Sequence, residues 1–174
     1  MKLLFSILIF TFSFSSLAKE HIVQTKGGKM IFKTADNEIS QRKFFGADLW
    51  FTGEVKNKKR NVMSVIYNSS DITLDNFVDP KQFKKYKEKM HLFGEKRKYQ
   101  DIKIKPHKHV KINNENSYHS FVWSYKKDGI NYIEQSYYVT CGKIFFVAKA
   151  TTFESSKEDQ SKFKKIVETA KCIE

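Results

Sequence analysis

Along the C-terminal half of the chain, apolar and polar positions first alternate and then fall into a three-and-four spacing. Tyr118 to Tyr125 (YHSFVWSY) reads as an aromatic strand, Lys126-Lys127-Asp128-Gly129 as a turn, and Ile130 to Thr140 (INYIEQSYYVT) as a second strand. Cys141-Gly142 turns tightly into Lys143 to Thr152 (KIFFVAKATT), a third. Short turns containing glycine between such runs predict antiparallel hairpins. The period then changes. Phe163, Ile166, Val167 and Ala170 stand at i, i+3, i+4 and i+7, the stripe of an amphipathic helix, with Lys162, Lys164 and Lys165 turned outward. Ser156 is placed to cap it, with Asp159 three residues on in the capping-box arrangement.

A second helix is announced at Asp79-Pro80, where aspartate caps and proline takes the first turn, with Gln82 at the third position. Phe83, Tyr86 and Met90 form its inward stripe, and Gly94 is its expected stop. Lys81, Lys84, Lys85, Lys87 and Lys89 form its outer face, relieved only by Glu88. Upstream, Lys29 to Lys33, Ala47 to Thr52 and Asn61 to Tyr67 (NVMSVIY) read as strands, the last two joined by the basic loop Lys56 to Arg60. Strands, a helix, more strands and a closing helix predict an α+β layered domain.

The order of elements over residues 60 to 174 adds to this. Val62 to Tyr67 leads through Leu74-Asp75-Asn76-Phe77 into a helix, then a strand, then the meander ending in Gly142-Lys143-Ile144-Phe145-Phe146, then a terminal amphipathic helix. This pattern resembles the fold shared by the photosystem accessory PsbP proteins and the Ran-binding Mog1 proteins. The resemblance implies an antiparallel sheet sandwiched by helices and a role in binding or assembly. It carries over no functional residue, and the cysteine pair and basic charge depart from it.

The first 18 residues read as an address. Lys2 precedes an apolar run, Leu3 to Phe14, and Ser16-Leu17-Ala18 offers the small-x-small pattern of a cleavage site. The run is too short to cross ~30 Å of hydrocarbon as a helix, and no cysteine follows it to take a lipid. We therefore expect residues 1 to 18 to be a secretory signal peptide. Residues 19 to 174 then form a single domain, monomeric, secreted or periplasmic, with no transmembrane helix. In an oxidising compartment Cys141 and Cys172 are expected to pair, the rival being a thiol nucleophile. Closing that loop constrains the unfolded chain by roughly 3–4 kcal/mol on the entropic account.

Charge narrows the partner. The chain carries a formal +13, or +12 without Lys2, and such a surface attracts polyanions without saying which. The stretch KIKPHKHVKI (residues 103 to 112) concentrates it. Read as a strand, Ile104, Pro106, Val110 and Ile112 share a face that Lys108 interrupts, while Lys103, Lys105, His107, His109 and Lys111 share the other. Pro106 places the strand at an edge or a bulge, and edge lysines are a common guard against strand-to-strand aggregation. His107 and His109 project together, but the flanking lysines repel a dication and no acid lies in the run, so no metal is expected. The five side chains suit an acidic protein or an anionic envelope polymer, with Lys84 and Lys85 of the helix as further contributors.

Catalytic signatures are sparse. There is no H-E-x-x-H, G-x-S-x-G or glycine-rich phosphate loop, and no cofactor is expected. The competing reading is a small secreted hydrolase in which His119 works with Asp101, Asp128, Glu134 or a serine. The aromatic residues Tyr118, Phe121, Trp123, Tyr125, Tyr132, Tyr137 and Tyr138 can stack on bases in principle, but they suit a sheet–helix core better, and no nucleic-acid module is present. Asn68-Ser69-Ser70 matches a glycosylation sequon.

Overall fold

The computed structural model describes residues 19–25, 28–34, 47–67, 80–113, 116–141 and 144–173. In chain order the elements are β1 (Lys19–Thr25), β2 (Gly28–Thr34), β3 (Leu49–Lys56), β4 (Lys59–Tyr67), α1 (Pro80–Lys96), β5 (Gln100–Ile104) and β6 (Lys108–Lys111). They continue with β7 (Asn116–Lys127), β8 (Ile130–Cys141), β9 (Ile144–Phe153), α2 (Lys157–Glu168) and β10 (Lys171–Ile173). The leader, the sequon, Leu74 to Phe77, the Asp79 cap and the Gly142-Lys143 turn lie outside the described residues.

The expected meander forms the centre of a seven-stranded antiparallel sheet in the order β3-β4-β9-β8-β7-β5, with β6 also paired to β7. Its β7–β8 hairpin is closed by Asp128 (φ 50°) and Gly129 (φ 76°), between the facing residues Lys127 and Ile130. Two left-handed residues in a row match the right-handed twist of the strands they join, which is why Asp-Gly serves here. A separate three-stranded sheet, β1-β2-β10, ties the N-terminal strands to the end of the chain. β1 and β10 were not foreseen from the sequence.

Antiparallel register puts facing residues on the same side of the sheet, so each face can be read across the strands. One face carries Leu49, Phe51, Met63, Val65, Tyr118, Tyr137, Val139, Phe146 and Ala148, all buried. They meet Val23, Met30 and Phe32 of the small sheet, Phe163, Ile166 and Val167 of α2, and Ala170 just past its end. The helical stripe is thus buried as its spacing requires, each large side chain contributing about 1.5–3 kcal/mol over exposure. The other face carries Phe121, Trp123, Tyr125, Tyr132 and Phe153. There Trp123, Tyr125, Tyr132 and Phe153 form a second cluster with Met90 of α1, Tyr99, and Ile102 and Ile104 of β5. The architecture is α+β, with helices on both faces of a largely antiparallel sheet.

Two local expectations are corrected. Ser156 makes no side-chain cap to α2. Its hydroxyl bonds instead to the Glu54 carboxylate, and Asp159 accepts from the Glu54 amide (2.7 Å) and from Asn61 Nδ2 (2.7 Å). Asn61 Oδ1 in turn accepts the Phe153 amide at 2.7 Å. The two polar residues join α2 to β3, β4 and β9 instead of closing a capping box. Gly94 does not end α1 but lies inside it, where the Ile102 side chain packs against its bare Cα.

The chain end returns to the end of β8. Asn116, which faces Cys141 in register, donates from Nδ2 to the Ala170 carbonyl at 3.2 Å. Cys172, two residues on, is disulfide-bonded. The side chain of Cys141 is outside the described set.

Candidate functional site

Residues 80 to 111 hold twelve lysines and arginines against three acids, a net +9 that leaves +4 for the rest of the chain. The fold gathers this segment at one end of the molecule. β5 and β6 both lie along β7 at the margin of the large sheet, and α1 packs against β5. The described ion pairs Lys33–Glu20, Lys59–Asp128, Lys149–Glu134 and Lys164–Glu168 all fall outside it. Lys81, Lys84, Lys85 and Lys89 of α1 are exposed, as are Lys103, Lys105, Lys108 and Lys111 at the edge. Lys87 is half-buried, its ammonium 5.3 Å from the Phe83 ring centre.

The stretch lies at the sheet edge and is bulged at Pro106, as that residue implies, so the strand read through residues 103 to 112 is broken there. Lys103 faces Ser124 and Lys108 faces Ser120, so five steps along this strand answer four along β7. The extra residue falls in the break at 105–107, which contains Pro106, the residue that cannot donate to a ladder. A bulge of one residue swaps the faces. Ile104 sits opposite Trp123 beneath α1, whereas Val110 sits opposite Tyr118 on the other side. Lys103 and Lys111 therefore point to opposite faces, and the expected row of five cations on one face does not exist. The positive charge wraps around the edge instead.

The histidines gather on the α1 side. His109 faces His119 in register, their rings 4.4 Å apart and 11° from parallel. His107 lies 5.9 Å from His119 and 5.7 Å from Phe121, with Phe83 of α1 at 6.1 Å. Imidazole lone pairs lie in the ring plane, so near-parallel stacking keeps them from converging on one ion. Among the described residues no three metal-ligating side chains come together.

The carboxylates proposed for a hydrolytic site are not placed with His119. Asp128 pairs with Lys59 at the hairpin turn (2.8 Å). Glu134 is buried and accepts from Trp123 Nε1 (2.7 Å) and Lys149 Nζ (2.8 Å). It lies four residues along β8 from Tyr138, the partner of His119, a distance of about 13 Å at strand rise. Asp101 occupies a bulge of β5 with φ 53°, beyond the Lys103–Ser124 pair.

The burial of Glu134 was the feature of the interior that the sequence reading missed. Its signal lies in parity, since Tyr132, Glu134, Ser136 and Tyr138 share the face that meets the aromatic side of β7. Around it, burial first, and then the nearby Glu134 charge, raise the Tyr125 and Tyr138 hydroxyls above their ordinary value. Tyr86 is raised by burial, then by Tyr138 and Glu134. These hydroxyls stay protonated near neutrality, which disfavours them as general bases. Tyr99 and Tyr125 stack at 4.2 Å, and Trp123 lies 4.6 Å from Tyr125. Phe121, Trp123, Tyr125, Tyr132 and Tyr137 are buried, so these rings are core and present no platform to a base.

No protein-family model matches the chain, and no curated protein matches it in sequence. Solved structures are similar to it in fold. LpqN, involved in cell envelope biogenesis in Mycobacterium tuberculosis, has a TM-score of 0.53 at 12% identity, over 91% of this chain and 92% of that one. PA94, a protein of unknown function from Pseudomonas aeruginosa, has a TM-score of 0.47 at 10% identity, over 86% and 94%. At 12% identity the likeness to LpqN shows the fold alone.

Proposed function

We propose that this chain is an exported, non-enzymatic binding or accessory protein that holds an anionic component of the cell envelope through its basic lobe. The observation that carries the reading is the concentration of +9 in residues 80 to 111, on elements packed together at one sheet edge. Charge spread evenly for solubility would not gather so. The N-terminal address supports export, and no helix among the described residues is long and apolar enough to cross a membrane. The envelope role of LpqN is compatible with this placement. A Cys141–Cys172 bond would fasten β8 to the end of the chain in an oxidising compartment. The PsbP/Mog1-like reading of the fold belongs to the same proposal, since helices on both faces of the sheet support it.

The test is cosedimentation with envelope fractions across a salt titration, using protein recovered after expression of the full chain in an exporting bacterium. Binding should fade as ionic strength shortens the screening length. It should drop sharply in a variant carrying Lys84→Glu, Lys85→Glu and Lys103→Glu. Binding that ignores both salt and these substitutions would overturn the reading.

A further inference from the structure

We infer that the partner of the basic lobe is an anionic lipid bilayer, with Leu92 and Phe93 of α1 entering the headgroup layer. The inference rests on the anion-binding reading and names its partner. Leu92 is 58% exposed and Phe93 38% exposed, side by side in the last turns of α1. The other exposed large apolar residues described, Ile22, Val55, Ile66 and Ile173, lie on strands outside the lobe.

Helical spacing puts Leu92 on one stripe with Lys81, Lys85, Glu88 and Lys96. Phe93 follows Lys89 by one turn, and the Arg97 guanidinium lies 4.4 Å from its ring centre. Phe93 also reaches inward, its ring 6.3 Å from Trp123, which anchors the exposed tip to the core. Glu88 and Glu95 share this surface, but Lys85, Lys89, Lys96 and Arg97 outnumber them. The arrangement is an apolar tip ringed by long cations at the end of a helix.

A soluble polyanion rewards the cations alone and leaves Leu92 in water. A bilayer interface takes both parts. Lysine and arginine stems lie along apolar surface while their heads reach phosphates, and apolar side chains between them leave water for the acyl boundary. With a single apolar tip, attachment is reversible and depends on the anionic lipid.

The experiment is vesicle cosedimentation of the same recovered protein. One set of vesicles is pure phosphatidylcholine, and the other mixes phosphatidylcholine and phosphatidylglycerol in equal parts. Soluble polyglutamate is run in parallel. Wild type should partition onto the anionic vesicles and scarcely onto the neutral ones. Leu92→Ser should weaken that binding roughly ten-fold without altering the thermal midpoint or binding to polyglutamate. Lys85→Gln should weaken it about five-fold, and Ile173→Ser should leave it unchanged.

If vesicle binding is salt-sensitive but indifferent to Leu92→Ser, the lipid inference fails and the polyanion reading survives. Equal binding to neutral vesicles also overturns it. Binding to neither vesicles nor polyglutamate overturns both readings.

Discussion

His21 shows how one residue ties the small sheet to pH. It is fully buried, its Nε2 lies 3.1 Å from Thr34 Oγ1, and its ring meets Phe51 edge-on at 5.7 Å. Burial first, and then the neighbouring Lys19 charge, lower its pKa from the usual 6.5. Because the folded value lies below the unfolded one, the stabilisation is complete above pH 6.5 and is lost as pH falls towards the folded value. Urea unfolding followed through this range should show stability declining on the acid side of 6.5. His21→Asn, which never charges, should flatten that part of the difference while lowering stability at neutral pH. Equal slopes in both proteins would show that His21 does not carry the acid sensitivity. Glu134 makes the complementary point. A lone acid among aromatic residues is legible as buried from its parity, but its partners, Trp123 and Lys149, come from two neighbouring strands and have no sequence spacing to reveal them.

Among the elements, what was legible followed from strong local periodicity. The β7–β8–β9 meander and the α2 stripe are long enough for alternation, or the three-and-four spacing, to be unambiguous, and Asp-Gly names its own turn. What was hidden depends on long-range pairing. β10 has only three residues and exists because β2 offers it an edge. Pro106 marks an edge or a bulge, but that a bulge there swaps the faces on either side of it shows only in the pairing with β7. Ser156 and Asp159 fit a capping box locally, yet partners more than ninety residues away claim both side chains. That joint also explains Gly53, where a Cβ would collide with the Asp159 carboxylate. Gly53→Ala should push α2 away from β3 and destabilise the fold by about 1–3 kcal/mol, read as a lower urea midpoint at an unchanged slope. A neutral result would mean that α2 is held by its apolar stripe alone.

On the scale of the whole molecule, the total charge is plain in the sequence, and so is its concentration between residues 80 and 111. What the sequence withholds is that α1, β5 and β6 meet, and that the bulge turns their cations around an edge instead of along one face. The distinction has a measurable consequence. If the charge acts as a lobe, the lysines are not interchangeable, and their position decides how a polyanion sees the molecule. Two triple variants test this at identical net charge. Lys84→Gln, Lys85→Gln and Lys103→Gln remove cations from the lobe, while Lys29→Gln, Lys157→Gln and Lys165→Gln remove them from the body, the last two from α2. On a cation-exchange matrix the lobe variant should elute at clearly lower salt, and the body variant close to wild type. Identical shifts would mean that the matrix senses only total charge, which would return the lysines of residues 80 to 111 to a general role in solubility and leave the binding reading without its support.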